Sequence, residues 1–75
     1  MYMLNKDINV FTDFITLQQL LKLANVIFSG GQAKAYLANN SIIINGVKDS
    51  RRGRKLYVGD TIIINNDLCL TLIKK

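Results

Sequence analysis

The sequence predicts an α+β fold in which two short helices pack against one face of a small, mostly antiparallel sheet of four or five strands. Apolar residues between positions 17 and 24 recur at helical spacing, whereas those after position 41 alternate with a period of two. The 75 residues include no proline and no linker-like segment. We therefore expect residues 1–75 to form a single domain.

The first strand and the first helix are predicted from adjacent patterns. Ile8 and Val10 alternate with a polar residue, which is typical of a short strand. Thr16 and Gln19 have the spacing of a capping box, and Asn25 suits a left-handed helix end. The apolar stripe of the intervening helix consists of Leu17, Leu20, Leu21 and Ala24.

A second capping box at residues 29–32 predicts a second helix through 33–38 that ends at 39–40. Its first turn contains Gly30 and Gly31, although glycine costs about 1 kcal/mol relative to alanine in a helix interior and less near an end. Two explanations remain open at this point. Either a ligand such as an anion approaches the helix N-terminus closely, or the two helices pack tightly there.

Period-two segments and turn residues predict the remaining strands. Asn45-Gly46 lies between two such segments, which is typical of a hairpin with a type I′ turn. A further strand is expected at 61–64, and a last one at 68–73 closes the sheet.

One face of this sheet is predicted to carry unpaired apolar side chains. Residues 42–44 and 62–64 are both runs of three isoleucines. If the first and third isoleucines of each run face the helices, the second points outward. We therefore expect weak self-association through this outer face. Its predicted members are Ile43, Ile63, Cys69 and Thr71.

Positive charge is concentrated in one segment. The net charge is +5, and five of the ten basic residues lie in residues 48–55, which we name the basic loop. Arginine binds phosphate oxygens with a planar, two-pronged guanidinium group, so a polyanionic partner is expected.

The chain has no histidine, which argues against an enzyme, and its single cysteine stands alone, which argues against a metal site. No cofactor is expected. Cytoplasmic localisation is expected because no segment is long and apolar enough to span a membrane.

Five motifs in order resemble the S4 RNA-binding domain, and most closely the small stand-alone S4-like proteins of bacteria. They are Leu20-Leu21-Lys22-Leu23-Ala24, Ser29-Gly30-Gly31-Gln32-Ala33-Lys34, Ile44-Asn45-Gly46, Arg51-Arg52-Gly53-Arg54-Lys55-Leu56 and Val58-Gly59-Asp60. The resemblance implies a two-helix S4 motif (αL-type) on a small sheet. It also implies that the start of the second helix and the basic loop grip RNA.

Carried over to this chain, the resemblance implies a defined set of RNA-binding residues. They are Ser29, Gly30, Gly31, Gln32, Lys34, Lys48, Arg51, Arg52, Arg54 and Lys55. Many S4 domains have an arginine after the serine. This chain has Gly30 there, so one phosphate contact of the family is missing.

The predicted function is recognition of structured RNA, either ribosomal or transfer RNA. Association with the ribosome would be one form of this function, and no membrane partner is expected. Tyr36 and Tyr57 are expected to be partly buried, which favours recognition of backbone shape over base stacking. Two alternatives use the same basic surface. The chain could be a protein–protein adaptor for an acidic partner, or it could bind DNA, because phosphate contacts alone do not separate the two nucleic acids.

Overall fold

The computed structural model describes residues 3–75, and within this range it contains two helices and seven strands. In chain order the elements are β1 (Leu4–Val10), β2 (Ile15–Thr16), α1 (Leu17–Leu23), α2 (Gly31–Asn39), β3 (Ile42–Ile44), β4 (Val47–Lys48), β5 (Lys55–Leu56), β6 (Thr61–Ile64) and β7 (Leu68–Lys74). The α+β class is confirmed.

Five of the strands form the main sheet in the order β1-β7-β6-β3-β4. The pairings of β7 with β6, β6 with β3 and β3 with β4 are antiparallel, but β1 pairs with β7 in parallel. The sheet is therefore mixed. β2 and β5 form a separate two-stranded antiparallel ribbon, which the sequence did not predict.

Strand β1 begins four residues earlier than the sequence pattern indicates. Ile8 and Val10 are buried, whereas residues 4–7 are exposed, so hydrophobic alternation marks only the second half of the strand. The register pairs Leu4 with Leu68 and continues without a break to Val10 and Lys74. The seven-residue neighbour β7 therefore supplies a hydrogen-bonding partner along the whole of β1, including its polar half.

The core lies between the helices and one face of the main sheet. The predicted inward isoleucines of β3 and β6 are at most 2% exposed, and the stripe of α1 is also buried. The central residues Ile43 and Ile63 are cross-strand partners on the opposite face and are only half-buried. Cys69, the register partner of Ile63 on β7, lies on the same face. The predicted assignment of sheet faces is confirmed.

The ends of α1 have the predicted chemistry. The Thr16 side chain accepts a hydrogen bond from the Gln19 amide, and the Gln19 side chain accepts one from the Thr16 amide. Asn25 follows the helix with a φ of 61°. In the hairpin, Asn45 and Gly46 have φ values of 50° and 85°, as a type I′ turn requires. Neither helix is long and apolar enough to cross a membrane in the part of the chain that the structure describes.

Candidate nucleic-acid interface

Asp49 organises the basic loop from within. Its carboxylate accepts hydrogen bonds from the Arg51 amide at 3.0 Å, from Arg51 Nη2 at 2.8 Å and from Arg54 Nη1 at 2.7 Å. The Asp49 side chain is only 9% exposed, whereas that of Arg51 is 73% exposed and that of Arg54 is 29% exposed. The one acidic residue of the loop therefore holds two arginines, and of these only Arg51 remains largely accessible to a ligand.

Hydrogen bonding sets the charge states in this loop. The hydrogen bonds from Arg51 hold the pKa of the Asp49 carboxyl well below its usual range, with a smaller contribution from Arg54. The same interaction raises the pKa of Arg51. Asp49 is consequently ionised, and Arg51 is charged, at any physiological pH.

The basic loop is also tied to the N-terminus of α1. The Leu17 amide donates to the Arg54 carbonyl at 2.9 Å, and the Gln18 amide donates to the Arg52 carbonyl at 3.1 Å. Two of the amides that an isolated helix would leave without a partner are therefore satisfied by the loop. Because backbone carbonyls make these contacts, the Arg52 side chain is not needed for them.

Arg52 and Lys34 line a single concavity of about 240 Å³ between α2 and the basic loop, together with Leu37, Ala38 and Ser50. Both cationic side chains are exposed, and neither takes part in an ion pair with a described residue. The structure therefore brings Lys34 and the following turn of α2 together with Ser50 and Arg52 of the basic loop, whereas residues 29–32 do not line this concavity.

Lys48 extends this surface at the edge strand β4. It is exposed and lines a neighbouring concavity of about 500 Å³ that includes Asp49 and Ser50. None of the other described cations lines this concavity, and the register partner of Lys48, Ile43, belongs to the outer face of the sheet, so Lys48 lies at the margin of this surface.

The N-terminus of α2 differs from the predicted capping box. Gly30 occupies the N-cap position in a helical conformation, and the helix has no side-chain cap. Only the glutamine half of the motif is present: Gln32 Oε1 accepts hydrogen bonds from the Ser29 amide at 3.1 Å and from the Phe28 amide at 2.5 Å. Because Gly30 has helical dihedral angles, Ser29 directly precedes the helical residues, but its hydroxyl group accepts no hydrogen bond from an amide among the described residues.

The two glycines of α2 have different surroundings. A Cβ added at Gly30 would lie 2.6 Å from Nε2 of Gln18, the end of a flexible side chain, so a residue with a Cβ would require only that Gln18 move aside. A Cβ at Gly31 would meet only Ser29 Oγ at 3.9 Å, an ordinary contact. Packing within the described chain therefore does not require glycine at position 31.

Lys55 lies beside an aromatic pair that the sequence interpretation did not identify. Its Nζ is 4.9 Å from the centre of the Phe14 ring, and the Phe14 and Tyr57 rings are 6.1 Å apart. Tyr57 is 50% exposed, so the expectation that it is partly buried understates its exposure. Tyr36 is half-buried against the core, and this burial raises its pKa.

No group of three histidine, cysteine or acidic residues that could hold a metal ion occurs within residues 3–75. Asp60, which directly precedes β6, accepts hydrogen bonds from the Tyr57 amide at 2.8 Å and from Asn45 Nδ2 at 3.0 Å. This carboxylate therefore joins two turns, which is a structural role.

Comparison with known proteins agrees with the motifs. The family model described as the S4 domain matches residues 8–71. The probable ribosome maturation protein RlbA of Bacillus subtilis (strain 168) is 54% identical over 57 residues, which cover 76% of this chain and 80% of that protein. Because the family model matches most of the chain, and the relative is similar over three quarters of it, this chain belongs to the S4 domain family.

Proposed function

We propose that this chain binds structured RNA through a basic face, which we define as Lys34, Lys48, Arg51, Arg52 and Lys55. The observation that carries the proposal is the concavity between α2 and the basic loop, where Lys34 and Arg52 lie together without acidic partners among the described residues. Cations arranged along one surface are typical of proteins that bind a phosphate backbone.

The rigidity of the basic loop supports the same function. Asp49 fixes the arginines by hydrogen bonds, and the carbonyls of Arg52 and Arg54 are bound to α1. Because the loop is already ordered by these contacts, less conformational entropy is lost when phosphates bind. Arg54 is excluded from the basic face because its half-buried guanidinium is held by Asp49.

Ribosomal RNA is the target that we propose first, with transfer RNA as the second candidate. The similar protein of Bacillus subtilis is named for ribosome maturation, and we extend that process to this chain by similarity.

Crosslinking in cells, followed by sequencing of the attached nucleic acid, tests this proposal. The variant Lys34→Ala/Arg52→Ala/Lys55→Ala removes three exposed cations of the basic face. The matched control Lys6→Ala/Lys74→Ala/Lys75→Ala removes three exposed lysines that lie on or next to β1 and β7. We expect enrichment of one structured RNA with the wild-type protein and with the control, and its loss with the first variant.

Two outcomes would contradict the proposal. Recovery of an acidic protein instead of RNA would make the basic face an adaptor surface. Recovery of DNA would keep the phosphate-binding mechanism but change the ligand, because phosphate contacts do not distinguish RNA from DNA.

A further inference from the structure

The β2–β5 ribbon presents an aromatic pair to solvent. Its register pairs Ile15 with Leu56 and Thr16 with Lys55. One step further along the same register, Phe14 lies opposite Tyr57. Because side chains alternate along a strand, Phe14 and Tyr57 share a face with Thr16 and Lys55, while Ile15 and Leu56 point into the core.

The two rings are accessible, and a positive charge lies beside them. Phe14 is 39% exposed and Tyr57 is 50% exposed, and their planes are tilted by 50°. The Lys55 ammonium group lies 4.9 Å from the Phe14 ring centre, within the range of a cation–π interaction. Ile15 and Leu56 are at most 8% exposed and supply the core contacts of the ribbon. The two aromatic side chains lie on the other face, so core packing does not explain why large aromatic residues occupy these positions.

This aromatic pair is continuous with the basic face. Thr16, the register partner of Lys55, lines a concavity of about 450 Å³ together with Gln18, Gln19, Arg52 and Gly53. Arg52 also lines the concavity that contains Lys34. A polyanion that follows the cations from Lys34 through Arg52 would therefore reach Lys55 and the aromatic pair.

We propose that Phe14 and Tyr57 form a stacking site for an unpaired nucleobase of the bound RNA, while Lys55 binds the phosphate next to that base. This inference rests on the proposed RNA-binding function and adds a second component to it. Base stacking on aromatic rings tolerates any base, whereas phosphate contacts hold the backbone. The chain would therefore select junctions between a helix and a single strand rather than a continuous duplex.

The test compares two RNA probes, a blunt hairpin and the same hairpin with a short single-stranded overhang, in equilibrium titrations at several salt concentrations. We expect the wild-type protein to bind the overhang about tenfold more tightly, a value within the range for stacking of one base. Phe14→Leu and Tyr57→Leu should each reduce this preference. Tyr57→Phe, which keeps the ring, should retain it. The overhang should quench the tyrosine fluorescence of the wild-type protein more than that of Tyr57→Phe, in which two of the three tyrosines remain.

The control variant is Phe11→Leu, because Phe11 is 76% exposed but lines a different concavity, with Val10 and Leu23. We expect it to keep the preference. We also expect the salt slope to stay unchanged in Phe14→Leu, since no charge is removed, and to become shallower in Lys55→Ala.

Two results would overturn the inference without affecting the proposed function. The wild-type protein could bind both probes equally, or a folded Phe14→Leu/Tyr57→Leu variant could keep the preference for the overhang. A melting curve with the wild-type midpoint establishes that the double variant is folded. Absence of binding to either probe would contradict the proposed function itself, and the stacking site would fall with it.

Discussion

Asp49 is the residue on which the shape of the basic loop depends. It is the only acidic residue in residues 48–55, and it binds both Arg51 and Arg54. The sequence indicated the positive charge of the loop, but it could not indicate which arginines pair with Asp49, because that depends on how the loop folds back. The consequence is that Arg54 mainly shapes the loop, whereas Arg51 both binds Asp49 and remains accessible to a ligand.

The lowered pKa of Asp49 predicts acid sensitivity. Since the pKa is lower in the folded state, the stabilisation is complete at neutral pH and is lost as the pH falls below about 4, the ordinary value for an aspartate. Urea unfolding at a series of pH values should show a steeper acid decline for the wild-type protein than for Asp49→Asn. Parallel pH profiles of the two proteins would contradict this account of the loop.

Arg52 and Arg54 are predicted to respond differently to substitution. Arg52→Ala should weaken RNA binding by about 1.5 to 3 kcal/mol, as for a lost charge-assisted hydrogen bond, without changing stability. Arg54→Ala leaves Asp49 with one arginine fewer and should lower the free energy of unfolding. Binding titrations and urea unfolding of both variants measure the contrast, and equal effects on stability would refute it.

Among the elements, the two helices show which features of a helix local sequence patterns can predict. Both were predicted from capping motifs, and α1 also from apolar spacing, and their bounds lie close to those in the structure. The capping box of α1 is complete, but that of α2 is formed only by Gln32. Gly30 lies close to the Gln18 side chain of the other helix, a tertiary contact that local sequence does not encode.

The strands were predictable where the partner lies nearby in the sequence. The Asn45-Gly46 hairpin and β6 were identified from local patterns. The parallel pairing of β1 with β7 and the β2–β5 ribbon were not, because both join segments far apart in the chain. The Phe14–Tyr57 pair was missed for the same reason, because the two residues become neighbours only through the ribbon.

The capping box of α1 predicts a measurable contribution to stability. Thr16→Ala removes the acceptor for the Gln19 amide and should cost about 1 kcal/mol. For a domain of this size, that loss lowers the melting temperature by roughly 4 to 8 °C. Thr16→Ser keeps the hydroxyl group and should melt close to the wild-type temperature. If the serine variant were as unstable as the alanine variant, methyl packing rather than capping would be responsible.

At the scale of the whole molecule, the outer face of the sheet predicts weak self-association. Ile43 and Ile63 are cross-strand partners there and remain half-buried. Sedimentation at increasing concentration should show a growing dimer fraction, and Ile63→Lys should abolish it. A wild-type protein that stays monomeric at the highest concentration would remove the prediction.

We expect the basic face to dominate the binding of RNA by this molecule. Five cations form the basic face, and each phosphate neutralised on RNA contributes roughly −0.7 to −0.9 to the slope of log K against log salt concentration. The wild-type slope should therefore be about −3.5 to −4.5, so a fourfold rise in salt costs roughly two to three decades of affinity.

The most direct measurement is the slope of log K against log salt concentration for binding of the RNA recovered by crosslinking. It compares three proteins: the wild type, Lys34→Ala/Arg52→Ala/Lys55→Ala, and the control Lys6→Ala/Lys74→Ala/Lys75→Ala. We predict that the slope of the first variant shrinks to about −1.4 to −1.8, since roughly two phosphate contacts remain, while the control keeps the wild-type slope. A wild-type slope near zero, or an equal reduction in both variants, would contradict a basic face that binds RNA phosphates.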